Sequence, residues 1–317
     1  MIAALPRMPA EVAFVVFTRT AFLAALVVLL TIASPHFLTT DNMVIVLRQA
    51  ALQFLMAAGL TLVVLTGGID LSIGAVLGLA ACLGAGFIAQ GFVFTGILAA
   101  LGAGLACGLV NGALVAYVGI PAFIATYGML WVAHGLGYVF MKGEVIHGFP
   151  AGFRTLGAGF FASIPIPILV ACVLLLVLHV VLHLTRFGRA LYAIGGNAVA
   201  ARLTGMPMKR HLVTVYALSG VLAAFAGLVV IARVNAADSG TGEELLLTAI
   251  AAVGLGGTSL FGGAGGVVGT AIGALILALV VNGMNMLSIA TFWQACAMGV
   301  IVILAVLTDV SFKRRMS

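Results

Sequence analysis

The feature that most constrains this chain is a succession of uninterrupted apolar runs, separated by short polar or glycine-rich segments. Many of these runs reach about 20 residues, the length a helix needs to cross the hydrocarbon core of a membrane. Transmembrane barrel strands show shorter stretches of alternating polarity instead. Composition supports the same class, since 64% of the 317 residues are hydrophobic and 7% are charged, against about 25% charged in soluble domains. The chain is therefore predicted to be an all-α, polytopic integral membrane helix bundle.

Ten membrane spans are predicted, and an even number places both chain termini on the same side of the membrane. The spans cover residues 12–33, 43–65, 71–90, 92–118, 121–141, 163–185, 211–233, 244–260, 266–287 and 291–310. The glycine runs leave the ends of the third and eighth spans least well defined. We expect the whole chain, 1–317, to form a single transmembrane domain.

The distribution of basic residues sets the predicted orientation. Of the 14 lysines and arginines, the layout puts nine on the side of the termini and four on the other, with Arg19 inside the first span. The nine are Arg7, Arg186, Arg189, Arg202, Lys209, Arg210, Lys313, Arg314 and Arg315. Because cytoplasmic loops of membrane proteins are enriched in Lys and Arg, both termini are predicted to be cytoplasmic. The net charge of +6 is thereby explained without a nucleic-acid partner.

The sequence contains no recognisable catalytic or nucleotide-binding pattern. A P-loop requires G-x-x-x-x-G-K-[ST], but Lys142, Lys209 and Lys313 are followed by Gly, Arg and Arg. The four cysteines lie in apolar runs and form no C-x-x-C pair or Cys/His cluster, so we expect no disulfide and no metal site. The chain is predicted not to be an enzyme and to bind no cofactor of its own. Energy for transport would then come from a partner ATPase or from an ion gradient.

The stretch "LTGGIDLSIG", residues 65–74, interrupts the apolar sequence between two predicted spans. Gly67 and Gly68 predict the end of one helix, and Asp70 is expected to cap the next by accepting the amide of Ser72 or Ile73. Irregular backbone at membrane depth is tolerated where it is buried in protein or lines a cavity. Two interpretations stay open: Asp70 is a cap only, or it also faces a substrate path. The stretch and the later Gly256–Gly266 region are also candidate hinges.

The longest predicted cytoplasmic connection, residues 186–210, carries five basic residues and a short helix signal. Asn197 is expected to cap "AVAARLTG", which Gly205 and the following Pro207 would end. The face predicted to contact a cytoplasmic partner consists of Ala198, Ala201 and Leu203, with Arg202 beside it. A solvated loop is the alternative, but such a loop needs no capped helix. The pattern favours a docking element.

Three motifs together resemble the membrane permease subunits of ribose-type ABC sugar importers: "LTGGIDLSIGAVLGLAA", "GRALYAIGGNAVAARLTGM" and "GLGGTSLFGGAGGVVGTAIGALIL". The resemblance implies a bacterial inner-membrane protein paired with a second, identical or related permease subunit. It also implies two cytoplasmic ATPase subunits that bind ATP and Mg, and a periplasmic or extracellular binding protein that delivers the cargo. The coupling helix of that family would fall on Asn197 to Gly205. The cargo would be a ribose-, xylose-, arabinose- or galactose-like sugar, or autoinducer-2.

Polar and aromatic side chains within the predicted spans are candidates for the substrate path. They are Asn111, Phe123, Thr126, Tyr127, Asn282 and Asn285. The aromatic stripe also fits a lipid-facing or packing surface. Two other functions remain open: a secondary transporter driven by an ion gradient, and the same importer type carrying a branched-chain amino acid. His134 lies mid-span, but the sequence offers it no ionisable partner for a proton relay.

Overall fold

In the computed structural model, which describes residues 10–316, the chain forms thirteen α-helices, one π-helical turn and four very short strands. The first seven helices are α1 (Ala10–Ala33), α2 (Thr40–Leu65), α3 (Ile73–Ile88), α4 (Val93–Ala113), α5 (Ala122–Met141), α6 (Ala151–Ala158) and α7 (Ile166–Leu184). The others are α8 (Arg186–Gly196), α9 (Ala198–Leu203), α10 (Met208–Val234), α11 (Glu243–Leu255), α12 (Val267–Met286) and α13 (Thr291–Met316). The strands are β1 (Ile146–His147), β2 (Phe160–Phe161), β3 (Ile164–Pro165) and β4 (Ala236–Ala237). The π-helical turn, Leu114–Val118, continues α4.

The predicted membrane bundle is confirmed in its class. Each of the ten predicted spans coincides with a helix, and within the described residues six helical segments are long and apolar enough to cross a membrane. These are Thr40–Leu65, Val93–Val118, Ala122–Met141, Ile166–Leu184, Met208–Val234 and Val267–Met286. The count of ten spans and the cytoplasmic termini remain predictions, and Arg7 lies outside the described residues. The predicted eighth span, 244–260, extends too far, since α11 ends at Leu255.

Helix α10 lies at the centre of the bundle, where α2, α3 and α4 pack against it. Glycines four residues apart on α4 make the closest of these contacts. A side chain on Gly104 would collide with the carbonyl oxygen of Gly220, and one on Gly108 with that of Tyr216. The glycine stripe thus lets two helix backbones touch, as packing inside a membrane requires.

The two ends of the bundle are built differently. At one end, β1 pairs with β4 in antiparallel register, and the amide of Phe149 donates to Oδ1 of Asn235 at 2.9 Å. At the other end, the connections 66–72 and 256–266 meet near α8, which α9 follows in the chain. The sequence layout places these last connections on the cytoplasmic side. We refer to them below as the first break (residues 66–72) and the second break (residues 256–266).

Candidate functional site

The first break begins with a hydrogen-bonded glycine turn that ends α2. Gly67 has φ +81°, its amide donates to Val64 O at 2.9 Å, and the amide of Gly68 donates to Val63 O at 3.3 Å. These two bonds form a Schellman motif, in which a left-handed glycine satisfies the last carbonyl groups of a helix. Gly67 and Gly68 therefore end α2 in the way the sequence predicts.

A buried network around Asp70 holds the chain after this turn. The amide and the hydroxyl of Ser72 both donate to Oδ1 of Asp70, at 3.0 and 2.6 Å. The hydroxyl of Ser219, on α10, donates to Oδ2 at 2.9 Å. Asp70 is 2% exposed, so its carboxyl group faces hydrogen-bond donors of its own chain. One correction applies: Ser72, and not Asp70, occupies the N-cap position of α3.

Two further helices hold the same segment. Asn111, on α4, donates through Nδ2 to the hydroxyl of Ser72 at 2.9 Å. The hydroxyl of Thr126, on α5, accepts the amide of Leu71 at 3.1 Å and lies 3.2 Å from the carbonyl oxygen of Ile69. The first break is therefore attached by side chains to α4, α5 and α10. These hydrogen bonds satisfy backbone N–H and C=O groups that lipid could not satisfy.

The second break begins with the same type of helix end. Gly257 has φ +68°, its amide donates to Gly254 O at 2.8 Å, and the amide of Thr258 donates to Val253 O at 3.1 Å. The segment then turns back onto the end of α2 and the first break. The amide of Gly263 donates to O of Leu65, the last residue of α2, at 3.0 Å, and a side chain on Gly262 would collide with the backbone of Gly67. The two breaks are thus in direct backbone contact.

Helix α8 joins both breaks. A side chain on Gly195 would collide with the carbonyl oxygen of Leu65 and approach the amide nitrogen of Gly263. The phenol of Tyr192 donates to Gly265 O at 2.8 Å. Burial raises the pKa of Tyr192, so the hydroxyl stays protonated and able to donate at neutral pH. One helix of the connection 186–210 is therefore fixed to both breaks.

The predicted short helix is present as α9. Oδ1 of its N-cap Asn197 accepts the amide of Ala200 at 2.9 Å, and Gly205 has φ +76° just beyond the helix end. The contact face predicted for it is partly wrong. Ala201 is 4% exposed and packs inward, whereas Val199 is 71% exposed and Leu203 83%. Because Val199 and Leu203 are four residues apart, they lie on one outward face.

The six substrate-path candidates lie in three different places. Asn111 and Thr126 are buried in the network around the first break. Phe123 and Tyr127 are exposed on α5. Asn282 is buried and exchanges two amide hydrogen bonds with Asn42, at 3.1 and 2.7 Å, while Asn285 accepts a bond from Gln294 at 2.7 Å. Of the six, Phe123 and Tyr127 share an exposed surface, and the substrate path itself remains a prediction.

Some contacts of this region had no local signal in the sequence. Ser219 is 149 residues away from Asp70, and Tyr192 is 73 residues away from Gly265. Helix α8 did have a signal, since the hydroxyl of Thr185 accepts the amide of Gly188 at 3.2 Å as an N-cap. Within residues 10–316, no group of three or more His, Cys, Asp or Glu side chains lies close enough together to hold a metal ion.

Comparison with known proteins identifies the family. A family model described as "Branched-chain amino acid transport system / permease component" matches residues 42–307. The chain belongs to this permease family. It is a multi-pass integral membrane protein whose first and second breaks both lie near α8.

Named relatives are similar to this permease over most of their length. It is 43% identical to the "Ribose import permease protein RbsC" of Bacillus subtilis over 287 residues, 90% of this chain and 89% of the relative. The protein of the same name from Escherichia coli K12 is 40% identical over 295 residues, 90% of this chain and 92% of the relative. The "D-allose transport system permease protein AlsC" of Escherichia coli K12 is 34% identical over 294 residues, 92% and 90% of the two chains. No solved structure matches the chain significantly.

Proposed function

We propose that this permease is the membrane subunit of an ATP-binding-cassette importer and that its cargo is a monosaccharide. The observation that carries the proposal is the identity of 40–43% to ribose import permeases across 90% of the chain. The family description names branched-chain amino acids, but these relatives and the allose permease are named for sugars. Monosaccharide cargo is therefore favoured over branched-chain amino acids.

The energy for import is proposed to come from two separate cytoplasmic ATPase subunits. The sequence has no Walker A pattern, so the partners would bind ATP and Mg, and the permease would bind neither a cofactor nor a metal. The remaining partners in this proposal are a periplasmic or extracellular sugar-binding protein and a second permease subunit. The assembly would lie in a bacterial inner membrane.

The outward face of α9 is the proposed ATPase contact. A helix of six residues is only marginally stable unless it packs against another surface. Its apolar side chains Val199 and Leu203 are exposed. Arg202 lies beside them and adds charge to the same surface. An apolar pair rimmed by an arginine is typical of a protein interface.

Helix α8 is the proposed route from this contact into the bundle. Movement of α9 would displace α8, which directly precedes it in the chain. Since α8 contacts Leu65 through Gly195 and Gly265 through Tyr192, its displacement would act on the end of α2 and on the second break. Asp70 then has a positioning role, because its carboxyl oxygens are engaged by Ser72 and Ser219. Alternating access would follow from the tilt of helices joined by these breaks.

A matched pair of charge reversals tests the docking proposal. We expect Arg202→Glu to abolish stimulation of the partner ATPase by the loaded binding protein, while membrane insertion is unchanged. Arg154→Glu, an equally exposed reversal on α6 at the opposite end, should leave stimulation near the wild-type level. Normal stimulation and normal ATPase co-purification in the Arg202 variant would remove α9 as the docking element.

A further inference from the structure

A continuous line of aromatic rings runs along the exposed face of α5. The ring centroids of Phe123 and Tyr127 are 6.2 Å apart, and those of Tyr127 and Trp131 are 6.4 Å apart. The line continues from Trp131 to His134 at 6.1 Å and from His134 to Tyr138 at 5.1 Å. These five side chains recur every three or four residues, so they share one side of the helix. We call them the α5 aromatic line.

An ionisable pair interrupts the apolar character of this line. Nδ1 of His134 lies 3.1 Å from Oε1 of Glu243, the first residue of α11. The His134 side chain is 22% exposed and that of Glu243 is 56% exposed. The two residues are 109 positions apart in the sequence, and their contact joins α5 to α11. Part of the Glu243 carboxylate stays exposed.

The depth of this pair in the bundle excludes a simple lipid-facing surface. With 1.5 Å of rise per residue, His134 lies about 18 Å from the start of α5 and about 10 Å from its end. A partly exposed carboxylate at such a depth is costly in hydrocarbon, and ionisable groups within spans face cavities or partner groups. The exposed side of the α5 aromatic line therefore faces water or a partner subunit.

The pair presents hydrogen-bonding atoms suited to hydroxyl groups. Nδ1 of His134 faces Glu243, which leaves Nε2 as the ring atom able to form a hydrogen bond with a sugar hydroxyl group. The second carboxylate oxygen of Glu243 is an acceptor, and the imidazole of His134 lies beside the rings of Trp131 and Tyr138. Those two residues lie about 10 Å apart along the helix axis, and their rings offer apolar faces with a polar N–H or O–H group.

We propose that His134 and Glu243, flanked by Trp131 and Tyr138, form a transit subsite that binds hydroxyl groups of the sugar as it crosses the membrane. The inference rests on the proposed function and extends it to a specific surface. Acceptor atoms hold the hydroxyl groups while the rings contact the C–H faces of the sugar. Weak, repeated contacts of this kind let a cargo leave as readily as it enters. Phe123 and Tyr127 continue the same surface toward the first break.

Transport variants of the complete complex test the subsite. In proteoliposomes with the ATPase, the loaded binding protein and labelled ribose, we expect Glu243→Gln to lower sugar imported per ATP hydrolysed about tenfold, as for a hydrogen bond to a charged group. Glu244→Gln, one residue away and also exposed, should behave as wild type. Trp131→Leu should lower the same ratio several-fold, whereas Trp293→Leu, 59% exposed on α13, should not.

A labelling experiment tests the same surface without relying on transport. In a chain whose four cysteines are replaced by alanine, we expect His134→Cys to react with a membrane-impermeant thiol reagent. Val177→Cys, an exposed position on α7, should react at least tenfold more slowly. Equal, slow labelling at both positions would overturn the subsite.

The outcomes separate this inference from the proposed function. Wild-type import of ribose with no change in the Glu243 and Trp131 variants overturns the subsite and leaves the importer standing. If the wild-type complex imports no monosaccharide at all, the proposed function fails, and the subsite fails with it.

Discussion

The two breaks end their helices in the same way but differ in the contacts that follow. Gly67 and Gly257 each close a Schellman motif. The first break is then held by side chains, because Asp70 receives donors from Ser72 and Ser219. The second break has glycines of positive φ at four further positions, Gly262, Gly263, Gly265 and Gly266, and Tyr192 of α8 donates to the carbonyl oxygen of Gly265.

This difference assigns the two breaks different mechanical roles. Side-chain bonds fix the first break to α4, α5 and α10, so it should move as one body with the core of the bundle. The second break has close backbone contacts with α8 at Gly262 and Gly263, so it should follow α8 and α9. The predictions below test this contrast.

The largest effect is expected at the point where α8 meets both breaks. Gly195→Ala places a Cβ against the carbonyl oxygen of Leu65 and the amide of Gly263, and such overpacking costs about 1–3 kcal/mol. We expect about a tenfold or greater loss of ATP-driven uptake and a lower yield of folded protein on size-exclusion chromatography. Gly196→Ala is the control, because a Cβ there meets nothing within 4 Å. If the two variants show the same uptake and the same yield of folded protein, the close backbone contact at Gly195 is disproved.

A graded effect is expected at Asp70. Asp70→Leu leaves Ser72 and Ser219 without their acceptor, and each unsatisfied buried group costs about 1–3 kcal/mol. Asp70→Asn retains an acceptor for Ser72, so it should retain more uptake and a higher thermal unfolding midpoint than the leucine variant. Complete and equal loss of transport in both variants, with normal insertion, would show instead that transport requires the charge.

A smaller effect is expected from the single bond between α8 and the second break. Tyr192→Phe removes the donor to Gly265 O and should cost about 0.5–1.5 kcal/mol. We expect the ATPase to remain active while sugar imported per ATP falls two- to threefold. Tyr117→Phe, which keeps its ring near Lys209, is the matched control. An unchanged ratio for the Tyr192 variant would mean that this bond does not transmit the motion of α8.

Local features of the fold were predictable because their causes are local. Gly67 ends a helix through its own backbone freedom, and Asn197 caps a helix by reaching an amide three residues away. The apolar runs predict helices because lipid leaves the backbone few other choices. The predicted contact face of α9 was wrong at Ala201, because a six-residue helix has too few residues to show from its sequence which side packs inward.

Features that depend on distant segments could not be predicted. Nothing near Asp70 indicates that Ser219 will reach it, and nothing near His134 indicates Glu243. Asn111 and Thr126 looked like path residues because they are polar within apolar segments. In the structure they form hydrogen bonds with the first break, which is another reason for polarity inside a membrane bundle, and their place in a substrate path stays a prediction.

Reconstituted uptake with controlled energy sources tests the central claim most directly. Labelled ribose uptake would be measured in proteoliposomes that contain the permease with or without its ATPase and binding protein, with ATP or an ion gradient supplied separately. The account predicts uptake only when both partner proteins and ATP are present, and no loss when ion gradients are collapsed. Uphill uptake by the permease alone, driven by a proton or sodium gradient, would contradict it.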